Sequence, residues 1–152
     1  MRAIAIALVS NLGPRDANIR MAADDLAQVL RNFRLSSIIE TAPVGEGLEH
    51  DPPYLNAAGV GESELAARDI FDALRAIEQQ AGRTRPYRGA PRTLDLDLIL
   101  VGDEIVDDAD LQVPHPRFRD RRFVLDPLAE IAPDLVDPVT HLTVRQLRAK
   151  IA

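Results

Sequence analysis

Asp95 and Asp97 stand two residues apart in the apolar run Leu94-Asp-Leu-Asp-Leu-Ile99. On a strand, that spacing sends both carboxylates to one side while Leu94, Leu96 and Leu98 face the other. Neighbouring carboxylates repel unless something positive separates them. A hard divalent cation is the natural occupant, because Mg2+ takes one or two carboxylates together with water and phosphate oxygens. A solvated strand face carrying two ordinary acids accounts for the pair alone equally well. Pro91-Arg92 favours the cation, since a rigid turn delivers a guanidinium to the same end of the strand and lets metal and phosphate ligands converge.

Arginine supplies 17 of the 18 basic residues, and eight of those arginines lie between Arg83 and Arg122. A GC-rich genome explains the shortage of lysine but not the clustering. In a chain of net charge −6, a local cluster of planar guanidinium forks points to a small polyanionic ligand. The acidic balance excludes a general nucleic-acid binder. No apolar run approaches the roughly 18 residues of a membrane span, and the N-terminus lacks a signal-peptide layout. The absence of cysteine removes disulfides and thiolate metal sites, so the expectation is a cytoplasmic enzyme with no membrane or nucleic-acid partner.

The elements that must position these groups follow from hydrophobic period. Ile4, Ile6 and Leu8 alternate with alanines, which predicts a first strand with one face on the core. Ile19, Ala23, Leu26, Leu30 and Phe33 recur at helical steps and predict about five turns of amphipathic helix. Leu35–Thr41 reads as a second strand, residues 42–53 as a loop, and Tyr54–Gly61 as a third strand. Ser63 is the expected N-cap of a second helix carrying Leu65, Ile70, Phe71, Leu74 and Ile77 on one face, with Gly82 just past its end. A second loop, Arg83–Arg92, leads into the strand Thr93–Val101. Gly102-Asp103 then signals a hairpin turn before Glu104-Ile105-Val106. The last forty residues are proline-punctuated, with one short helix near Thr143–Ile151. The order is β-α-β-β-α-β in one domain spanning residues 1–152, with an added hairpin strand and a C-terminal extension. It predicts an α+β, ferredoxin-like antiparallel sheet with both helices on one face.

The twelve-residue run Arg88-Gly-Ala-Pro-Arg92-Thr-Leu-Asp95-Leu-Asp97-Leu-Ile99 resembles the signature of the 6-hydroxymethyl-7,8-dihydropterin pyrophosphokinase family. That signature is a basic residue, any residue, a small one, Pro-Arg, two free positions, Asp-aliphatic-Asp and two aliphatics. The resemblance extends over nearly the whole chain. Ser10-Asn11-Leu12-Gly13 is similar to the family's Gly-Ser-Asn-Leu segment, and Thr41-Ala-Pro43-Val44 to its Thr-x-Pro loop. Tyr54-Leu-Asn56 resembles the aromatic-x-Asn element, and Arg83-Thr-Arg85, with Glu78 five residues upstream, resembles the start of the catalytic loop. Pro114-His115-Pro116, followed by Arg121 and Phe123, is similar to its Pro-His-Pro segment.

The resemblance implies transfer of diphosphate from ATP to the hydroxymethyl group of the reduced pterin, with release of AMP. It assigns Asp95 and Asp97 to two Mg2+ ions, and Arg83 and Arg92 to charge neutralisation on the moving diphosphate. It assigns Glu78, Arg85, Arg88, Leu98, His115 and Arg121 to the nucleotide, and Thr41, Pro43, Val44, Tyr54, Asn56 and Phe123 to the pterin. Tyr54 and Asn56 share one strand face, so one can stack on a flat heterocycle while the other hydrogen-bonds it, with Phe123 on the opposite side. Core packing competes for both aromatics, because the chain has only six. His50 and His141 carry no motif and read as surface residues. The resemblance also implies a monomer. Three positions depart from the family pattern: Val9 in place of glycine, Ile39 in place of an aromatic, and Gly89 in place of the aromatic after Arg88. They motivate two other readings, a paralogue acting on a modified pterin and a catalytically silent nucleotide- or pterin-binding module.

Overall fold

The computed structural model describes residues 1–11, 14–41, 53–81 and 94–151. In chain order its elements are β1 (Arg2–Ser10), α1 (Arg15–Val29), β2 (Arg31–Leu35), β3 (Ile39–Thr41), β4 (Tyr54–Ser63), α2 (Ala67–Ala81), β5 (Asp95–Val101), β6 (Val106–Asp107), β7 (Gln112–Val113), a 3-10 turn at Phe118–Asp120, α3 (Arg122–Ile131) and α4 (Val144–Lys150). The main sheet runs β2-β4-β1-β5, with β3 also on β4, and β6 and β7 form a separate pair. All pairings are antiparallel. The coarse expectation, an antiparallel sheet backed by helices, holds.

The alternation in β1 is real, but both of its faces are buried. Ile4, Ile6 and Leu8 pack with Ile19 and Leu26 of α1 and Ile70 and Leu74 of α2. Ala5 and Ala7 pack with Ala58, Val60 and Ile99 under Val124, Leu125 and Leu128 of α3 and Val144 and Leu147 of α4. The expectation of a single core face is therefore corrected. Alanines on β1 leave room for a second helical layer to lie close on the sheet, and a small side chain buried on both flanks is as much a core signal as a large one.

Several boundaries shift for identifiable reasons. α1 stops at Val29, short of the five turns expected. Leu30 is extended and Asn32 takes a left-handed φ of 53°, so Phe33 sits on β2 rather than on the helix, and Ala22 replaces Ala23 on the buried stripe. The expected second strand divides at buried Ser36, whose N–H donates to the Ala58 carbonyl at 2.9 Å. The Ser36 hydroxyl in turn accepts the Ala58 N–H at 2.8 Å. Ser63 ends β4 instead of capping α2, its hydroxyl accepting the Leu65 N–H at 3.0 Å. Leu65 consequently lies exposed, outside the helix. The Gly102 turn forms with φ 53°, but the strand after it pairs with β7 rather than with β5. α4 appears where expected, closed by a capping box between Thr143 and Gln146.

Gly59 lets the Phe33 ring of β2 lie close over the neighbouring strand β4. A Cβ added there would lie 2.5 Å from the Phe33 ring. Gly59→Ala is expected to lower stability by about 1–3 kcal/mol through overpacking, measured by urea unfolding. An unchanged midpoint would mean that Phe33 swings aside without cost.

Candidate active site

The register of the sheet puts the chemistry on one face. Val9 of β1 pairs with Asn56 of β4 on one side and with Asp95 of β5 on the other, and Ala7 pairs with Ala58 and Asp97. Residues directly opposite in an antiparallel ladder share a face, so Asn56, Val9 and Asp95 form one row across three strands. Two strand spacings separate Asn56 from Asp95, about 10 Å. Asn56 is buried, and its amide Nδ2 donates to the Thr41 hydroxyl at 2.7 Å. Tyr54, two residues before it, lies opposite Thr41 in the β3–β4 ladder. Of the four described residues expected at the pterin, Phe123 lies on α3, while Thr41, Tyr54 and Asn56 share adjoining strands. Val9 stands between them and the carboxylate pair.

A cleft of about 390 Å3 opens along β5, lined by Asp95, Leu96, Asp97 and Leu98 from the strand, by Phe71, Arg75 and Glu78 from α2, and by Asp110, Gln112 and His115 from the segment around β7. Five residues expected at the nucleotide and metal sites, Glu78, Asp95, Asp97, Leu98 and His115, are brought together here. Glu78 reaches the strand, its Oε2 accepting the Leu96 N–H at 2.9 Å. This ties α2 to β5 and fixes the carboxylate at the cleft wall.

His115 is held by its backbone and its ring. Its N–H donates to the Ile99 carbonyl at 3.0 Å, and its Nδ1 accepts the Arg117 N–H at 3.1 Å. An accepting Nδ1 leaves the proton of the neutral imidazole on Nε2, as a donor. Burial lowers the imidazole's pKa below its ordinary 6.5; Asp97 pulls it upward, while Arg121 and Arg117 push it further down. Arg121 lies at the start of α3 with its guanidinium 5.6 Å from the Phe123 ring centroid. Phe123 is partly buried and packs against the α3 side of the core, the same face as Asn56.

Arg83, Arg85, Arg88 and Arg92, together with Pro43 and Val44, lie outside the described residues, as do Gly89 and His50. Motif reading had no signal for Phe71, Arg75, Asp110 and Gln112. Phe71, expected on the apolar face of α2, packs against the core and also lines the cleft. The spacing Arg68-Phe71-Arg75-Glu78 places all four on one stripe of α2, and that periodicity was the available clue. Asp110 precedes β7 and Gln112 begins it, and both reach the cleft only through folding.

A family model described as 7,8-dihydro-6-hydroxymethylpterin-pyrophosphokinase matches residues 5–133. Among similar proteins, a 2-amino-4-hydroxy-6-hydroxymethyldihydropteridine pyrophosphokinase of Synechocystis is 41% identical over 144 residues, covering 93% of this chain and 72% of the relative. Proteins of the same description from Pseudomonas aeruginosa and Haemophilus influenzae are 39% and 40% identical, covering 86% and 90% of this chain and 80% and 86% of theirs. The fold is similar to a crystal structure described as HPPK-DHPS in complex with substrates, with a TM-score of 0.72, 12% identity, and coverage of 98% of this chain and 43% of that one. A Plasmodium falciparum HPPK-DHPS gives 0.71 at 13% identity, over 99% and 43%.

Proposed function

The chain belongs to the 7,8-dihydro-6-hydroxymethylpterin-pyrophosphokinase family, and from that premise we propose how its own residues divide the reaction. The enzyme transfers diphosphate from ATP to the hydroxymethyl group of 6-hydroxymethyl-7,8-dihydropterin in folate biosynthesis. The hydroxyl oxygen bonds to the β-phosphorus, the bond from that phosphorus to the oxygen bridging to the α-phosphorus breaks, and AMP leaves. Such transfer needs no covalent enzyme intermediate, because positioning and charge neutralisation carry most of the catalysis.

The nucleotide occupies the cleft along β5, with Glu78, Leu98 and His115 against it and Arg121 beside His115. The pterin lies over the Thr41–Tyr54–Asn56 end of the sheet face that carries Asp95 and Asp97, with Phe123 against it and Pro43 and Val44 as further contacts. Arg83, Arg85, Arg88 and Arg92, which precede β5 in the chain, neutralise the polyphosphate. The donor set of Asp95 and Asp97 fits Mg2+: both offer hard oxygens on one strand face. Among the described residues no group of three or more His, Asp or Glu side chains builds an all-protein cage, as suits an ion that completes its shell with phosphates and water. Two such ions, when bound, would supply charge neutralisation and a lowered pKa for the attacking hydroxyl. The supporting observation is the single row Asn56–Val9–Asp95, which sets the pterin end and the phosphate end about one substrate length, roughly 10 Å, apart on one face. We read the architecture as ferredoxin-like, with residues 1–152 as one domain acting as a monomer in the cytoplasm. No helix among the described residues is long and apolar enough to cross a membrane.

The test is chromatographic detection of AMP from ATP, Mg2+ and the pterin, with a no-pterin control. Pterin-dependent AMP is expected; ATP binding without AMP would overturn the activity. His115 reports on the nucleotide placement. Its depressed pKa in the free protein is expected to rise when ATP brings negative charge to the cleft, read by NMR titration of the ring. An unmoved titration would place the phosphates elsewhere. The sign for stability follows the same shift. The neutral ring is favoured in the fold, so its contribution is complete above pH 6.5 and declines as pH falls through that value toward the folded pKa.

A further inference from the structure

The outer wall of the cleft is a short turn whose acidic tip, Asp108 to Asp110, lies exposed outside the core. β6 and β7 are two residues each, and the turn between them is closed by the Asp108 N–H donating to the Leu111 carbonyl at 2.9 Å. An isolated hairpin of that length has little stability of its own. Leu111 and Val113 anchor its base in the core beside Ile70 and Leu74 of α2, and Arg68 of α2 binds its acidic tip. Arg68 Nη1 donates to Asp110 Oδ2 at 2.7 Å and Nη2 to Asp108 Oδ2 at 2.9 Å, so the two arms of one guanidinium fork bind two carboxylates of the turn. The same guanidinium lies 5.8 Å from the Phe71 ring centroid, with Arg75 at 4.8 Å from that ring. Phe71 and Asp110 both line the cleft.

We propose that Arg68 is a positioning residue for the nucleotide: by binding Asp108 and Asp110 together it holds the β6–β7 turn against α2, sets the cleft mouth, and cancels acid charge that would repel a polyphosphate. The inference rests on the nucleotide occupying this cleft. A single exposed ion pair contributes little. Here one fork joins two carboxylates of a different element through its two separated arms, a geometry that the single nitrogen of a lysine does not reproduce. Removing Arg68 both frees the wall and leaves two negative charges at the entrance to a site for a polyanion.

The experiment measures KM for ATP, KM for the pterin, kcat and direct ATP affinity in Arg68→Ala, Arg68→Lys, and the reversed pair Arg68→Asp with Asp110→Arg, alongside His115→Ala. Arg68→Ala is expected to raise KM for ATP and the ATP dissociation constant about three- to tenfold, leaving kcat and the pterin KM unchanged. Arg68→Lys falls between, and the reversed pair restores most of the affinity. The ratio of variant to parent shrinks at high salt, because the unpaired acids act through screened charge. An equal rise in both KM values, a loss of stability without a change in ATP affinity, or a reversed pair as weak as Arg68→Ala would each overturn the proposal. If His115→Ala weakens ATP binding and Arg68→Ala does not, only the clamp is wrong. If neither does, the nucleotide is not in this cleft and the clamp falls with it.

Discussion

Asp97→Ala is expected to reduce diphosphate transfer by about 10^3-fold or more while leaving the fold in place, because it removes one of the two carboxylates proposed to hold the cation that neutralises the phosphates. The side chain is only half-buried, on a strand whose neighbours Leu96, Leu98 and Ile99 supply the packing. Its loss therefore costs the core little, and relief of repulsion from Asp95 offsets some of that. Kinetics alone would not separate a lost metal ligand from a disturbed cleft. His115 does so: Asp97 is the group that raises the imidazole's pKa against burial and the neighbouring arginines. In Asp97→Ala the ring is expected to titrate still lower than in the parent, with the circular dichroism spectrum and melting temperature nearly unchanged. Asp97→Asn, which keeps the shape and removes the charge, should be as inactive as alanine. Near-normal turnover in either variant would remove the metal-pair argument, and a collapsed spectrum would turn the residue into a structural one.

What was legible in the sequence is uneven for physical reasons. Asp95 and Asp97 could be placed on one face from spacing alone, because strand period is a local property and Leu94, Leu96 and Leu98 fill the alternate positions. Tyr54 and Asn56 were legible in the same way. α3 was not. Phe123-Val-Leu was absorbed into a motif, and Pro127 reads as a breaker, yet Pro127 lies inside the helix. Proline there gives up a backbone hydrogen bond and crowds the preceding turn. The helix keeps it by burying the ring in the same row as Val124, Leu125 and Leu128, a tertiary gain that no local propensity encodes. The second core face is hidden with it, since alanine at positions 5 and 7 carries too little apolar bulk to mark a buried face by itself. The outer wall of the cleft was invisible for a related reason: Arg68 finds Asp108 and Asp110 forty and forty-two residues away, and only the fold brings those carboxylates to the helix.

The largest stability effect is expected from a residue outside the cleft. Asp137 is fully buried and faces Arg119 with both oxygens, Nε to Oδ2 at 2.5 Å and Nη2 to Oδ1 at 2.9 Å. It also accepts the Thr140 hydroxyl at 2.7 Å and the Val139 N–H at 3.0 Å. Arg119 lies over buried Phe118, 4.9 Å from its ring, so the pair fastens the 3-10 turn between His115 and Arg121 to the loop before α4. Burial opposes ionisation of Asp137, but the guanidinium, the hydroxyl and the amide outweigh it and hold its pKa down to about 2. Asp137→Ala leaves Arg119 mostly buried without its partner and should cost about 3–5 kcal/mol. That corresponds to a melting temperature lower by roughly 6–20 °C. The sign with pH is set by the depressed value: the contribution is complete above about pH 3.8 and is lost as pH falls from there toward 2. The gap in stability between parent and Asp137→Ala should therefore be wide near neutrality and narrow in the acid limb, measured by urea unfolding across pH. At temperatures where the variant is folded, kcat should change little, because Asp137 does not line the cleft. A gap that stays constant down to pH 2 would mean that shape rather than charge accounts for the loss. A kcat that falls as steeply as stability would mean that the 3-10 turn carries His115 and Arg121 with it.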